Sequence, residues 1–77
     1  MKTIKVVGRG CIDCAETLEA ICRVVHDNKL LVSIEKATED VEIEKLRINT
    51  TPGIFVDDEL VSEGVIPKNN EILNWLR

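Results

Sequence analysis

The hydrophobic period of the chain switches once near its start, and that switch restricts the folds open to it. Lys2-Thr3-Ile4-Lys5-Val6-Val7 alternates and is rich in β-branched residues, which reads as a β-strand. Gly8-Arg9-Gly10 ends it. A helical period follows from about Cys11 or Ile12 to about His26, with Leu18, Ile21, Cys22 and Val25 at i, i+3, i+4 and i+7. Asp27-Asn28 closes the helix, and Leu30-Leu31-Val32-Ser33-Ile34 reads as a second strand. Two strands joined through a helix are expected to be parallel, with a right-handed crossover.

The second half is shorter in its elements. Thr38 is the expected N-cap of a short helix from Glu39 to about Arg47, with Glu39 and Asp40 in the favourable first turn. Asn49-Thr50-Thr51-Pro52-Gly53 cannot continue it. Ile54-Phe55-Val56 and Leu60-Val61-Ser62 read as a hairpin, turned at Asp57-Asp58 because aspartate tolerates positive φ better than most residues. Gly64 ends the hairpin, and Pro67 is expected to open a last helix carrying Ile72, Leu73, Trp75 and Leu76. The order is β-α-β-α-β-β-α, an α/β arrangement that one mixed sheet with packed helices satisfies.

Composition narrows the function. Seventy-seven residues fit a single domain, 1–77, with a modest core. Ten basic and fourteen acidic side chains leave a formal charge of −4. That balance argues against nucleic acid and against an anionic membrane surface as partners. No stretch has transmembrane length. Lys2 is followed by alternation rather than an apolar run, so no signal peptide is expected and the expected location is cytoplasmic. Three cysteines are an odd count, which suits redox chemistry or metal binding better than a secreted disulfide scaffold.

The place of Cys11 and Cys14 matters more than their spacing. Cys11 follows a strand and a glycine turn and stands at a helix start, where unpaired N–H groups and the helix dipole favour a thiolate over a thiol. Cys14 shares the stripe of Leu18, Ile21 and Cys22 and is expected to face the sheet. Cys11 then serves as the exposed attacking thiol and Cys14 as the shielded resolving thiol, the division that disulfide exchange requires. Asp13 and Glu16 put negative charge near Cys11 and are expected to raise its pKa, with Arg9 offsetting part of that, which gives a reducing poise. Chance spacing and metal binding remain the plainer readings of the motif taken alone.

Thr51-Pro52 taken alone is equally plain: a helix stop and a trans turn, since only about 5–6% of X-Pro bonds in folded proteins are cis. Together the parts resemble the thioredoxin fold, and most closely the minimal thioredoxin/glutaredoxin-like proteins of the redox-active disulfide protein 2 type. The segments that carry the likeness are Gly8 through Cys14, Thr51 through Asp57, and Gly64 through Pro67, within a match running from Lys2 to Leu76. The resemblance implies a four-stranded mixed sheet with helices on both faces. It implies a cis proline at Pro52 beside the cysteine pair, a Thr51 backbone that pairs with an extended substrate, and Gly64 in a third loop bordering the site. It also implies a redox-active Cys11–Cys14 disulfide with no bound cofactor and no metal, protein disulfides as substrates, a thioredoxin-reductase-like flavoenzyme as electron source, and a monomer.

The chain also departs from the pattern. Thioredoxins proper carry tryptophan before the first cysteine and Gly-Pro between the two, where Arg9-Gly10 and Ile12-Asp13 stand here. Their first-strand aspartate has no match, and Lys5 is expected to face solvent. The Gly-Gly-x-Asp element of glutathione-using glutaredoxins is absent from Ser62-Glu63-Gly64-Val65, which points the electron supply away from glutathione. Lys68 stands where the last helix normally has a serine cap, a poorer cap unless the helix starts at Asn69. The competing function is a metallochaperone, whose domains run β-α-β-β-α-β with a methionine before the first cysteine. Cys22, on the apolar stripe, is expected to be a small buried hydrophobe. His26 is expected to interact with the helix dipole, and Phe55 and Trp75 to sit in the core. The acidic run Glu39-Asp40-Glu42-Glu44 reads as a solvated helix face.

Overall fold

The computed structural model describes residues 2–9, 12–48 and 50–77. Seven elements follow the expected order: β1 (Lys2–Val7), α1 (Ile12–Asp27), β2 (Val32–Ala37), α2 (Asp40–Lys45), β3 (Gly53–Val56), β4 (Glu59–Glu63) and α3 (Asn69–Leu76). They form one four-stranded sheet in the order β2-β1-β3-β4. β1 runs parallel to β2, from Lys2 opposite Val32 to Val7 opposite Ala37. β1 is antiparallel to β3, and β3 to β4, so the sheet is mixed.

The alternation of β1 assigns the two faces. Ile4 and Val6 join Ile54 and Val56 under α1 and α3, against Ile21, Val24, Ile72 and Leu76. Val7 points the other way and packs with Ala37 and Ile43 under α2, with Phe55, Leu46 and Ile48 at the edge. Helices therefore cover both faces. Phe55 and Trp75 both pack against core residues as expected, half-buried rather than enclosed. Among the described residues no helix is long and apolar enough to cross a membrane.

Several boundaries differ from the expectations, each for a local reason. β2 begins at Val32 rather than Leu30. Lys29 takes positive φ (52°) and the Leu30 N–H returns to the Val25 carbonyl, so the left-handed stop of α1 uses the residues that would have opened the strand. Leu31 is left 83% exposed. In α2 the N-cap is Glu39, not Thr38, with no side-chain cap bond, and the helix stops at Lys45 before Arg47 turns to φ 54°. α3 begins at Asn69 rather than at Pro67. There the Glu71 carboxylate accepts the Lys68 N–H at 3.1 Å, which supplies the cap that a lysine side chain cannot. The other end of α3 is held by Lys2, whose ammonium donates to the Trp75 and Arg77 carbonyls at 2.8 and 3.0 Å.

The β3–β4 hairpin turns as expected. Asp57 and Asp58 both take positive φ (50° and 69°), and Asp57 Oδ1 accepts the Thr3 N–H at 2.9 Å. β3 and β4 are slightly longer than expected, and their register shifts between Ile54 and Phe55.

Candidate functional site

Cys14 lies on the first full turn of α1, and its position depends on which face of the helix the sheet takes up. The buried stripe of α1 is Cys14, Thr17, Ile21 and Val24. This rotates the helix relative to the expected stripe. Thr17 is fully buried because its hydroxyl donates to the Asp13 carbonyl at 2.7 Å, so the inward threonine carries no unsatisfied polar group. Leu18 and Val25 move to the margin of the core. Cys22 is correspondingly an exposed free thiol, not a buried hydrophobe. His26 is also exposed, with Nδ1 at 3.5 Å from Asp27 Oδ1 at the helix end.

The expected inward aspect of Cys14 is what the structure has: the residue is 6% exposed and disulfide-bonded. Cys11 lies outside the described residues, as does Gly10. The Cys14 sulfur packs directly on Gly8 at the end of β1, so close that a Cβ at residue 8 would collide with it. The same absent Cβ would stand 3.6 Å from Thr51 Cβ. Gly8 is thus the point where β1, α1 and the turn before β3 meet, and its N–H is fixed to the Ala37 carbonyl at 2.9 Å.

The Thr51-Pro52 bond is cis, with Pro52 buried and Thr51 exposed. The Pro52 carbonyl accepts the Gly64 N–H at 2.9 Å. Gly64 takes φ +79°, and a Cβ there would lie 2.5 Å from Thr50 Oγ1. The bond and the packing tie the third loop to the prolyl turn. Cys14, Thr51, Pro52 and Gly64 are therefore brought together around one end of the sheet, through Gly8 and Thr50.

Beside Cys14 opens a cavity of about 170 Å³, lined by Val6, Gly8, Cys14, Leu18, Lys36 and Thr38 among others. The sequence pattern marks Gly8 as a strand end at the head of the cysteine segment, and does not mark Lys36 at all. The signal for Lys36 is its place opposite Val6 in the parallel register, which pattern alone does not fix. Arg9 is committed elsewhere: its Nε stands 2.7 Å from Asp40 Oδ1 on α2. Among the described residues no group of three or more His, Cys, Asp and Glu side chains is placed to hold a metal ion.

Comparison with known proteins agrees with this geometry. Residues 2–77 match the thioredoxin domain family. The chain is similar to a thioredoxin of Methanocaldococcus jannaschii, 35% identical over the full length of this chain and 88% of the other.

Proposed function

Because the chain belongs to the thioredoxin-domain family, we propose that it is a cytoplasmic thiol–disulfide oxidoreductase that reduces protein disulfides and carries electrons on Cys11 and Cys14. The observation that carries this reading is the setting of Cys14: disulfide-bonded and shielded, against a cis-prolyl turn whose preceding residue is exposed. A shielded sulfur suits the resolving role, because it meets the substrate only after the substrate is covalently attached.

The chemistry balances in two exchanges. The Cys11 thiolate attacks one sulfur of a substrate disulfide, forming a mixed disulfide and expelling the other sulfur as thiolate. Cys14, deprotonated, attacks Cys11 in the mixed disulfide, closing Cys11–Cys14 and releasing the reduced substrate. Two electrons and two protons from an external reductase, a flavoenzyme of the thioredoxin-reductase type, restore the dithiol. The exposed Thr51 backbone and Gly64 border the groove that an extended substrate chain would enter. Asp13 and Glu16 oppose the helix start in setting the acidity of Cys11 and favour a reducing potential, and Arg9, paired with Asp40, offsets them less.

Insulin reduction tests the proposal. Wild-type protein with a dithiol donor accelerates precipitation of the insulin B chain, Cys11→Ser abolishes this, and Cys14→Ser accumulates a mixed disulfide. Wild-type protein without activity but with stoichiometric Zn or Cu(I) binding would defeat the reading.

A further inference from the structure

A second groove, of about 350 Å³, lies between the outer face of α1 and the loop after β4. Glu16, Glu19, Ala20 and Arg23 form one wall and Ile66 the other. The loop that supplies Ile66 begins at Gly64, whose N–H is held by the Pro52 carbonyl, so one wall of the groove is tied to the cis-prolyl turn. Ile66 is 40% exposed and its chain neighbour Val65 59%, so this wall is apolar and open.

The charges in the groove are not balanced. The Arg23 guanidinium donates to Glu19 Oε1 at 2.9 Å, which neutralises that carboxylate. Glu16 makes no ion pair with any described residue. Asp13 adds a second acidic side chain one turn nearer the site. Lys68 lies beyond Pro67 and does not line the groove. The acidic run lies on α2, which packs against the opposite face of the sheet through Ile43.

We propose that this groove seats the chain of a disulfide-bearing partner that carries a lysine or arginine two to three residues from its reactive cysteine, with Glu16 receiving the cation and Ile66 an apolar neighbour. The spacing follows from dimensions. Glu16 is four residues into α1 from Ile12, about 6 Å along the axis at 1.5 Å per residue. An extended chain covers that distance in about two residues at ~3.3 Å each. The proposal rests on the reductase reading, since the groove lies along the same helix that carries Cys14.

The test uses cysteine peptides in mixed disulfide with thionitrobenzoate, carrying Lys, Ala or Glu three residues to either side of the cysteine. In protein carrying Cys22→Ser throughout, which removes the exposed free thiol, attack by reduced Cys11 releases the coloured thiolate and leaves the peptide in mixed disulfide until Cys14 resolves it. Wild type should prefer Lys over Glu by about two- to fivefold on one side of the cysteine, the range of an exposed ion pair, and the preference should fade with salt. Glu16→Lys should abolish or invert the ratio. The ratio is insensitive to any change in Cys11 reactivity, because that acts on all peptides alike. Glu44→Lys, on α2, alters net charge equally and should keep the wild-type ratio. No preference in wild type, a preference that survives Glu16→Lys, or one lost equally in Glu44→Lys overturns the docking proposal while peptide reduction upholds the reductase reading. Failure of wild type to reduce any of the peptides ends the reductase reading and the docking proposal with it.

Discussion

Replacing Gly8 by alanine tests how tightly the cysteine site is built. The added Cβ would fall well inside van der Waals distance of Cys14 Sγ, 3.3 Å from Cys14 Cβ and 3.6 Å from Thr51 Cβ. Neither side can yield easily. The backbone of residue 8 is held at Ala37, and the sulfur is tied into a disulfide. Overpacking of this kind costs about 1–3 kcal/mol. In a domain of this size each kcal/mol lowers Tm by about 4–8 °C. On reduction the Cys14 thiol gains freedom to rotate, so the loss should be larger in the oxidised protein. A difference of about 1.4 kcal/mol between the two states would raise the reduction potential by about 30 mV. Guanidinium unfolding of the oxidised and reduced forms, with a thiol-exchange titration of the potential, measures both effects. Gly53→Ala is the control: its Cβ would crowd the half-buried Ile48, whose Cδ1 can swing aside while Cγ2 and Cγ1, at 3.2 and 3.3 Å, must give by a few tenths of an ångström, so its cost should fall below that of Gly8→Ala and should not depend on redox state. Oxidised Gly8→Ala within about 0.5 kcal/mol of wild type would refute the packing argument. Equal losses in both redox states would refute the role given to the tethered sulfur.

Three further outcomes follow from the same geometry. Gly64→Ala should destabilise by at least about 1–2 kcal/mol, the cost of a left-handed non-glycine residue; Thr50→Gly in the same chain should relieve only the added clash with Thr50, as read by thermal unfolding. Oxidised protein should expose one reactive thiol to alkylation, mapping by mass spectrometry to Cys22, and Cys22→Ser should change stability by no more than about 0.5 kcal/mol. Asp58→Gly creates an Asp-Gly pair with both residues at positive φ and should raise stability by about 1 kcal/mol in denaturant titration; a loss would show that the carboxylate, not the backbone, holds the turn.

The hairpin and β1 show why much of the fold was legible. Their signals are local. Alternation sets which side chains face which helix layer, and Asp57-Asp58 supplies residues that tolerate the φ values a tight turn needs. The α1 stripe shows where local signals mislead. Leucine, isoleucine, cysteine and valine at helical spacing outscore a stripe containing threonine, yet the threonine hydroxyl satisfies itself on its own helix and packs inward at no polar cost. The whole helix is rotated accordingly, and Cys22 changes from buried to exposed. The starts of β2 and α3 moved because the preceding turns, at Lys29 and at Lys68-Glu71, took residues that pattern had assigned to the elements.

The sequence by itself determined the element order, the mixed sheet and the inward aspect of Cys14, because period, turn residues and helix starts are written in neighbouring positions. Only the tertiary structure decided that Gly8, Cys14, Thr51, Pro52 and Gly64 meet. It likewise placed Lys36 beside Cys14 and set Ile66 opposite Glu16. Those residues come from separate strands, a helix and two loops. What brings them together is the parallel register of β1 with β2, the bond from Gly64 to Pro52, and a space at Gly8 where a sulfur occupies the place of a side chain.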